Sequence, residues 1–383
     1  MRYWDFNLRH LRAHAIVARA GSISAAARII GLTQPAITEA LARLEDRLGL
    51  ALFDRIPSGM LPTEAGQLLA ARADAALAHI GSPRVTMAQF RALLAVAEGG
   101  SYAGASLATG LAEPSLHRAV HDLSVALRRT LVERRGRSVV LTAGGKRTVR
   151  AFRLARAELA AALSELGTLR GRESGRIAIG AMPLSRARLL PGAITAFHRT
   201  HPGITAAIVE GSHAELIEPL RDGELDLLVG ALRTPEAGGD VVQQPLFDDH
   251  PIVVSRADHP LTKAKRPDIA ALARYPWTIA APGTPLRAQW EKMFADAGVA
   301  VPEVPVECGS VMTIRQILLE SDFLTLLSRD QVSVELEAGW LVKLCDTPPG
   351  LKRTIGITTR TGWRPTAAQQ AFLEALRNCA ETL

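Results

Sequence analysis

The 383-residue sequence is poor in cysteine and in aromatic residues, and it lacks long apolar segments. Its three cysteines, Cys308, Cys345 and Cys379, form no CxxC pair and no zinc-ligand spacing, so we predict a reduced compartment and no structural metal. No apolar run reaches the roughly 18 residues of a membrane-spanning helix. The N-terminus lacks the charged-then-apolar layout of a signal peptide. We therefore expect a cytoplasmic protein with no membrane contact.

Common catalytic signatures are missing as well. The sequence contains no GxSxG, HExxH, GxGxxG or phosphate-binding loop, and its ten histidines are scattered. We therefore predict that the chain is not an enzyme and needs no cofactor. What the chain does have is length, because 383 residues exceed one ordinary core and imply two or three domains.

Positive charge is concentrated in one part of the chain. Basic residues outnumber acidic ones by nine to seven in residues 1–80 and by 14 to six in 81–170, whereas residues 171–383 hold 22 against 25. Clustered basic charge is what a surface needs to displace counterions from phosphates. The pattern favours contact of the N-terminal part with a nucleic acid.

An internal repeat occupies the same basic region. Residues 12–66 align with residues 91–145 at a constant offset of 79 without a gap, and 17 of the 55 pairs are identical. The identities include the pairs Gly21 and Gly100, and Pro35 and Pro114. We interpret this as two copies of one small domain in tandem.

The first copy has the signals of a helix-turn-helix. Apolar residues at helical spacing run from Leu8 to Ala18, and Gly21 is placed to end that helix. A second short helix follows, and the turn at 31–32 leads to a third. Thr33 is placed to cap this third helix, with Pro35 in its first turn, where a missing N–H costs little.

The outer face of the third helix is polar. Its buried stripe is predicted to be Ile37, Leu41, Leu44 and Leu48, which turns the intervening residues outward. A two-stranded wing is predicted at 52–62. Glu39 can accept from a cytosine amino group or pair with Arg43 one turn later. The candidate DNA-binding residues of the first copy are Ser22, Thr33, Gln34, Pro35, Thr38, Glu39, Arg43 and Arg55.

Five short segments, at residues 21–27, 33–38, 44–49, 52–55 and 63–66, carry a family resemblance. In order and spacing they closely resemble the winged helix-turn-helix of LysR-type transcriptional regulators. The family's usual Ser-Gln-Pro-Ala-Val-Ser has threonine at both ends here, which preserves the capping hydroxyl. The resemblance implies a DNA-binding regulator whose third helix enters the major groove of promoter DNA.

The second copy is more degenerate. Alanine replaces the capping threonine and glutamate the glutamine, although the core stripe is intact. We favour an auxiliary phosphate-gripping role, with base reading and pure dimerisation as the alternatives; the candidate residues are His117, Arg118 and Arg134. Two such domains depart from the usual LysR plan, although a subgroup with regulators of the galactose-binding-protein type is similar.

The remainder divides into a long helix and an α/β region. Residues 142–170 have the pattern of an amphipathic helix of the kind that dimerises LysR-type regulators. Strands and helices alternate from residue 176, which predicts a mainly parallel sheet. The pattern resembles the LysR effector domain, whose architecture is that of periplasmic solute-binding proteins.

The fold class predicted is therefore multidomain: two tandem α-rich winged helix-turn-helix domains, then a two-lobed α/β effector domain. The boundaries are 1–80, 84–141, 142–170 and 175–383. By analogy with the family, one lobe comprises 175–250 with 340–383 and the other 251–339, and a small molecule binds between them.

Loops after the predicted strands are the candidate effector site. Hydroxyls and helix N-termini there suit a carboxylate or sugar hydroxyls, and Arg186 suits an acid. For each residue taken alone, we favour the alternative that it is a local helix cap. Asp322 lies where many relatives have a glycine-rich turn and is expected to change the polarity of the pocket. The candidates are Ser185, Arg186, Ser212, His213, Thr284, Pro285, Cys308, Gly309 and Ser310.

The expected partners are double-stranded DNA, a sugar, sugar acid or aromatic acid, and further copies of the chain in a homodimer or homotetramer. The resemblance to LysR-type regulators also allows contact with RNA polymerase. Two rival interpretations remain. A secreted solute-binding protein would need an export signal and leaves the repeat unexplained. A redox switch at Cys308 would need a partner, and Cys345 is distant in sequence.

Overall fold

The computed structural model describes residues 1–57, 59–135, 138–233, 239–264 and 266–382, without the side chains of residues 134 and 135. The chain divides into two compact units. The first comprises Met1–Gly175 with Gly203–Thr205 and Asp222–Glu224. The second comprises Arg176–Pro202, Ala206–Arg221 and Leu225–Leu383. None of the helices within the described residues is long and apolar enough to cross a membrane.

The first unit contains one order of elements twice, after a short 3-10 helix at Tyr3–Asp5. We call residues 8–80 the first repeat and residues 87–169 the second repeat. The first has α1 Leu8–Ala20, α2 Ile23–Ile30, α3 Gln34–Leu48, β1 Phe53–Ile56, β2 Gly59–Pro62 and α4 Glu64–Ile80. The second has α5 Met87–Gly99, α6 Tyr102–Thr109, α7 Glu113–Leu127, β3 Val132–Arg135, β4 Ser138–Leu141 and α8 Ala143–Leu169.

Equivalent backbone contacts hold the hairpin of each repeat. The amide of Met60 donates to the carbonyl of Gly21 at 2.8 Å, and the amide of Val139, 79 residues later, donates to Gly100 at 3.2 Å. One departure concerns the end of the third helix. The first repeat has Gly49 there at φ 60°, whereas the second has Arg128 at φ 52°, the one non-glycine residue with positive φ among the described residues.

The last helix of each repeat begins against the preceding hairpin. A Cβ on Gly66 would lie 2.0 Å from the carbonyl oxygen of Leu52, and a Cβ on Gly145 would lie 1.9 Å from that of Leu131. Real Cβ atoms do not approach a backbone oxygen this closely, so only glycine allows the contact. One hydrophobic core then runs through both repeats, from Phe6 to Leu166.

The second unit contains a five-stranded sheet, a three-stranded sheet and the two-stranded pair β10-β11, and its hydrophobic residues form separate clusters. Its strands are β5 Gly175–Ala181, β6 Ile204–Glu210, β7 Leu227–Ala231, β8 Val241–Asp249, β9 Pro251–Arg256, β10 Thr278–Ile279, β11 Val306–Glu307, β12 Thr325–Ser328, β13 Leu341–Asp346 and β14 Arg353–Arg360. Its helices are α9 Leu189–Thr200, α10 His213–Arg221, α11 Ile269–Leu272, α12 Pro285–Asp296, α13 Val311–Glu320, α14 Ser333–Glu337 and α15 Ala367–Ala380.

The larger sheet has the order β6-β5-β7-β14-β8 and is mixed. Strands β5 and β7 are parallel, but β14 is antiparallel to both of its neighbours. The prediction of a mainly parallel sheet was therefore only partly correct. Strand β14, which returns from the other lobe, enters the sheet in the opposite direction. The local sequence pattern does not predict this direction.

The predicted lobe boundary at residue 340 was wrong. Strand β13 pairs antiparallel with β9, from Leu341 opposite Arg256 onward, in the sheet β12-β9-β13. Leu341 and Leu344 are buried within the clusters of this second lobe. The chain therefore returns to the first lobe only after Asp346, at β14.

We predict that Gly145→Ala destabilises the protein and that its neighbour Gly144→Ala does not. The added methyl at 145 overlaps the Leu131 carbonyl, which costs about 1–3 kcal/mol. At 144 the nearest atoms lie at 3.5 Å, an ordinary contact, and alanine is the better helix former. Urea unfolding measures both. Equal stability of the two variants would contradict the contact.

A second prediction concerns His14, a fully buried residue of α1 whose Nε2 donates to the Gly66 carbonyl at 2.9 Å. Burial lowers the pKa of His14 to about 4, from an ordinary value of about 6.5. Between about pH 6.5 and 4, His14 binds a proton in the unfolded chain but stays neutral in the folded chain. The free energy of unfolding should thus fall between about pH 6.5 and 4, by up to about 3 kcal/mol.

The matched variant is His14→Leu, because the second repeat has Leu93 at the equivalent position, also buried. Chemical denaturation at several pH values should show that this substitution removes most of the acid-side loss of stability over that interval. An unchanged pH profile in His14→Leu would show that another group is responsible.

Candidate functional site

Helix α3 presents a polar surface on a buried base. Ile37, Ala40, Leu41, Leu44 and Leu48 are buried against the first repeat, as predicted with the exception of Ala40, which was not foreseen. The side chain of Thr33 caps the helix by accepting from the amide of Ala36 at 3.4 Å, and proline follows in the first turn. The helix therefore begins where the sequence predicts and keeps one face free.

The predicted DNA-facing residues of α3 are all exposed. Gln34, Pro35, Thr38, Glu39 and Arg43 lie on the solvent side of the helix. The Thr38 hydroxyl donates to the Gln34 carbonyl at 3.0 Å. Glu39 forms an ion pair with Arg43 one turn later, the structural alternative of the sequence analysis.

The Glu39–Arg43 pair is easily displaced by a stronger partner. Both side chains are more than 60% exposed, at 62% and 63%. Such exposed pairs contribute only about 0.3–0.5 kcal/mol. A phosphate or a guanine edge can therefore take Arg43 from Glu39 at little cost.

The remaining residues of the first repeat support or flank α3. Ser22 is half-buried and caps α2 by accepting from the Ala25 amide at 3.1 Å. Arg55 is exposed on strand β1, opposite Met60 of the hairpin. Ser22 was predicted to contact DNA, but its hydroxyl oxygen accepts this capping hydrogen bond.

Helix α7 of the second repeat lacks one feature of α3. Ala112 provides no side-chain cap for it. His117 and Arg118 are exposed, and the ring of His117 lies 5.0 Å from that of Tyr102. The side chain of Arg134 lies outside the described residues.

A groove beside α7 was not foreseen from the sequence. It has a volume of about 570 Å³ and lies between α6, α7 and the hairpin. In the first repeat Glu45 accepts from the Leu52 amide at 2.8 Å, but the equivalent Ser124 bonds within its own helix. The groove is lined by Tyr102, His117, Val120, His121, Ser124, Val125, Arg128, Arg129, Thr130, Val132, Glu133 and Val139.

In the second unit, three of the nine predicted effector residues cap helices. Ser212 accepts from the Glu215 amide at 3.4 Å at the start of α10. Thr284 caps α12, with Pro285 in its first turn, and Ser310 caps α13. Ser185 is fully buried and donates to the Met182 carbonyl at 2.8 Å. His213 begins α10.

The structure brings these loops together in two groups. The amide of Gly211 donates to Ala181 at 3.3 Å, which places Ser212 beside the turn of Ser185 and Arg186. The amide of Cys308 donates to Ile279 at 2.9 Å, so the segment 308–310 neighbours the segment that leads to Thr284. Both groups follow the carboxyl ends of strands, where α/β proteins bind ligands.

Arg233, which follows β7, contacts the second of these groups and was not predicted from the sequence. Its Nη1 donates to the Gly283 carbonyl at 2.9 Å, next to Thr284. The side chain of Gln243 holds its backbone through two hydrogen bonds of 2.9 Å. Only tertiary structure reveals this position, because the partners lie ten and 50 residues away.

Two polar residues have partners within the protein. Arg186 forms an ion pair with Glu210 at the end of β6. Asp322 accepts from Arg256 at 2.8 Å, and its carbonyl lies 3.2 Å from His259. Asp322 was expected to change the polarity of the effector pocket. In the structure its carboxylate is instead paired with Arg256.

The cysteines form no disulfide. Cys308, Cys345 and Cys379 are all free thiols. Cys345 is buried in β13, and burial raises the pKa of its thiol, which keeps it in the unreactive protonated form. The structure thus offers little support for Cys345 as the partner in a redox switch.

Comparison with known proteins identifies both units. The model "Bacterial regulatory helix-turn-helix protein, lysR family" matches residues 8–67 and again residues 87–146, and the "LysR substrate binding domain" matches residues 170–380. The chain belongs to the LysR family of transcriptional regulators. It is a DNA-binding regulator with an effector-binding domain, and not an enzyme.

Relatives of full length agree with this assignment. The chain is 30% identical to the transcriptional regulator GalR of Pseudomonas putida, over 97% of this chain and 96% of GalR. It is 31% identical to the SDS degradation transcriptional activation protein of a Pseudomonas strain, over 74% of this chain and 93% of that protein.

Solved LysR structures share the fold. A full-length OxyR variant from Pseudomonas aeruginosa matches with a TM-score of 0.58 and 24% identity, over 77% of this chain and 98% of OxyR. LysG from Corynebacterium glutamicum, with its effector arginine bound, matches with a TM-score of 0.55 and 22% identity, over 77% of this chain and 97% of LysG.

Proposed function

We propose that helix α3 reads promoter DNA and that Gln34 and Arg43 are its principal base contacts. The exposure of both side chains and the weak Glu39–Arg43 pair support this assignment. Thr38 lies on the same face, while Thr33 and Pro35 set the start of the helix, Ser22 orients α2, and Arg55 approaches the backbone from the hairpin.

The second repeat is proposed to be a second winged helix-turn-helix that grips phosphates through His117, Arg118 and Arg134. Its matching element order and the second family match at 87–146 support this. So does its excess of basic residues. The uncapped start of α7 at Ala112 favours backbone contact over base reading. The proposed division of the chain remains 1–80, 84–141, 142–170 and 175–383.

The effector is proposed to be a small acid, a sugar acid or an aromatic acid, held between the lobes. The helix N-termini at Ser212, Thr284 and Ser310 all suit an anion. Cationic groups lie close to them. Arg186 can exchange Glu210 for a carboxylate, and Arg233 reaches the loop before Thr284. His213, Pro285, Cys308 and Gly309 complete the proposed lining, and Ser185 holds the turn that carries Arg186.

Regulation is proposed to follow from closure of the lobes on this ligand. Closure would change the arrangement of DNA-binding units within a homodimer or homotetramer, and through it the bend of the promoter. Any contact with RNA polymerase would respond to the same change. The coupling requires that the effector binds the two arrangements with different affinity.

The DNA assignment is tested by Gln34→Ala, with Glu113→Ala as the matched control at the equivalent position of α7. We expect Gln34→Ala to cost about 1–3 kcal/mol of discrimination between bases. Glu113→Ala and Arg118→Ala should preserve sequence preference, and Arg118→Ala should lower the salt slope of binding by about 0.9. Binding to duplexes selected from a random library measures both. Equal loss of preference in both repeats would show that α7 also reads bases.

The effector assignment is tested by thermal unfolding of the full chain with a panel of sugars, sugar acids and aromatic acids. A ligand at about 100 times its Kd adds about 2.7 kcal/mol of stability. Arg186→Ala should remove the shift caused by an acid, and Glu210→Gln should strengthen it by freeing Arg186. Arg199→Ala, an exposed arginine of α9, is the control. An acid-induced shift that survives in Arg186→Ala would contradict the assignment.

A further inference from the structure

The last helices of the two repeats bury equivalent positions. Of the eight buried residues of α4, six have a buried equivalent 79 positions later on α8. The pairs are Gly66 and Gly145, Leu69 and Thr148, Ala70 and Val149, Ala73 and Phe152, Ala76 and Ala155, and Ile80 and Leu159. Both helices therefore use the same face within one shared core.

A buried ion cluster joins the two helices. Arg72 of α4 donates to both carboxylate oxygens of Glu165 on α8, at 2.9 and 2.6 Å, and to Glu158 at 3.0 Å. Its side chain is only 6% exposed. Burial alone would lower the pKa of Arg72, but its bonds to Glu165 and Glu158 raise it, so the guanidinium remains charged. Charges this deep require partners in a fixed position.

The two helices pack antiparallel. Arg170, which follows α8, donates to the carbonyl of Leu48 at 2.7 Å. Leu48 precedes the hairpin whose Leu52 lies against Gly66, near the start of α4. The end of α8 therefore lies near the start of α4. Equivalent helices that pack antiparallel through one face are related by an approximate two-fold axis.

The N-terminal segment adds a second connection between the repeats. The ring of Tyr3 lies edge-on to Phe90 of α5, with centroids 6.3 Å apart, and Phe90 stacks on Phe152 at 4.8 Å. Arg91 lies 5.0 Å from the ring of Trp4. Because these residues precede α1, the beginning of the chain is packed against the second repeat.

We infer that the two repeats of a single chain form an internal pseudo-dimer, which holds α3 and α7 at one fixed separation on duplex DNA. Two-fold related helices match the local dyads of duplex DNA, with contacts about 10 base pairs apart or a multiple of that. The inference rests on the proposed function of both repeats. The chain itself, rather than a pair of chains, is then the unit that spans two grooves.

The resulting footprint is directional, because the two helices differ at equivalent positions. Gln34, Thr38, Glu39 and Arg43 of α3 correspond to Glu113, His117, Arg118 and Asp122 of α7. Each chain should protect a sequence-specific element on one side and a stretch without base preference on the other. The apolar stripe of α8 is also buried within the chain. Further copies of the chain must therefore associate with it through other surfaces.

The experiment uses the full chain, duplexes selected from a random-sequence library, and hydroxyl-radical footprinting of the DNA backbone. The wild-type chain should protect the selected element and a flanking stretch on one defined side. His117→Ala with Arg118→Ala should lose the flanking protection and keep the element. Val125→Ala, on the exposed end of α7, is the control for a change in the same helix.

Two further experiments distinguish a fixed pseudo-dimer from two other arrangements. In one, the repeats are joined only by a flexible linker; in the other, the two DNA-contacting surfaces come from different chains. Four Gly/Ser residues inserted between the exposed Pro83 and Arg84 should leave the distance between element and flank unchanged, because the packing of α4 on α8 sets it. A mixture of Gln34→Ala chains with His117→Ala/Arg118→Ala chains should not restore the two-part footprint, since no chain has both surfaces intact.

The outcomes distinguish the inference from the proposed function. A flank that moves or fades after the insertion would overturn the fixed geometry, and restoration in the mixture would place the two surfaces on different chains. A flank unaffected by the α7 double variant would show that the second repeat does not contact the DNA. No enrichment of any duplex by the wild-type chain would instead refute the proposed DNA-reading function.

Discussion

The packing of α4 against α8 is the constraint on which the N-terminal unit depends. Arg72 is buried between Glu158 and Glu165, and removal of one member of such a cluster leaves an uncompensated buried charge, at a cost of about 3–5 kcal/mol. The cluster contributes specificity in particular, because its bidentate geometry permits one alignment of the helices. Helices α3 and α7, the hairpins and the N-terminal segment are all positioned relative to this pair.

The third helices of the two repeats differ in their capping and in their surroundings. The first retains the capped α3, with a weak Glu39–Arg43 pair that DNA can open, whereas the second has the uncapped α7 and more basic charge. The second repeat nevertheless has Gly145 at the position equivalent to Gly66, and α8 buries the same face as α4. The two repeats therefore share the buried positions through which α4 and α8 pack against each other.

Local features were predictable from the sequence, and distant contacts were not. Glycines at turns, the cap at Thr33 and the helical stripe of α3 follow from short-range rules, and the structure contains them. The partners of Arg72 lie 86 and 93 residues away, so the periodicity of the sequence does not predict these ion pairs. For the same reason the strand β13 was assigned to the wrong lobe, Arg233 was missed, and the ion pair of Asp322 with Arg256 was not foreseen.

Hydrogen exchange of the full chain at several protein concentrations tests the central claim most directly. If α4 and α8 pair within one chain, their amides should show the same protection throughout the concentration range in which chains dissociate from one another, as followed by sedimentation. Protection of α4 and α8 that is lost together with that dissociation would show that the helices pair between chains, and would contradict the account.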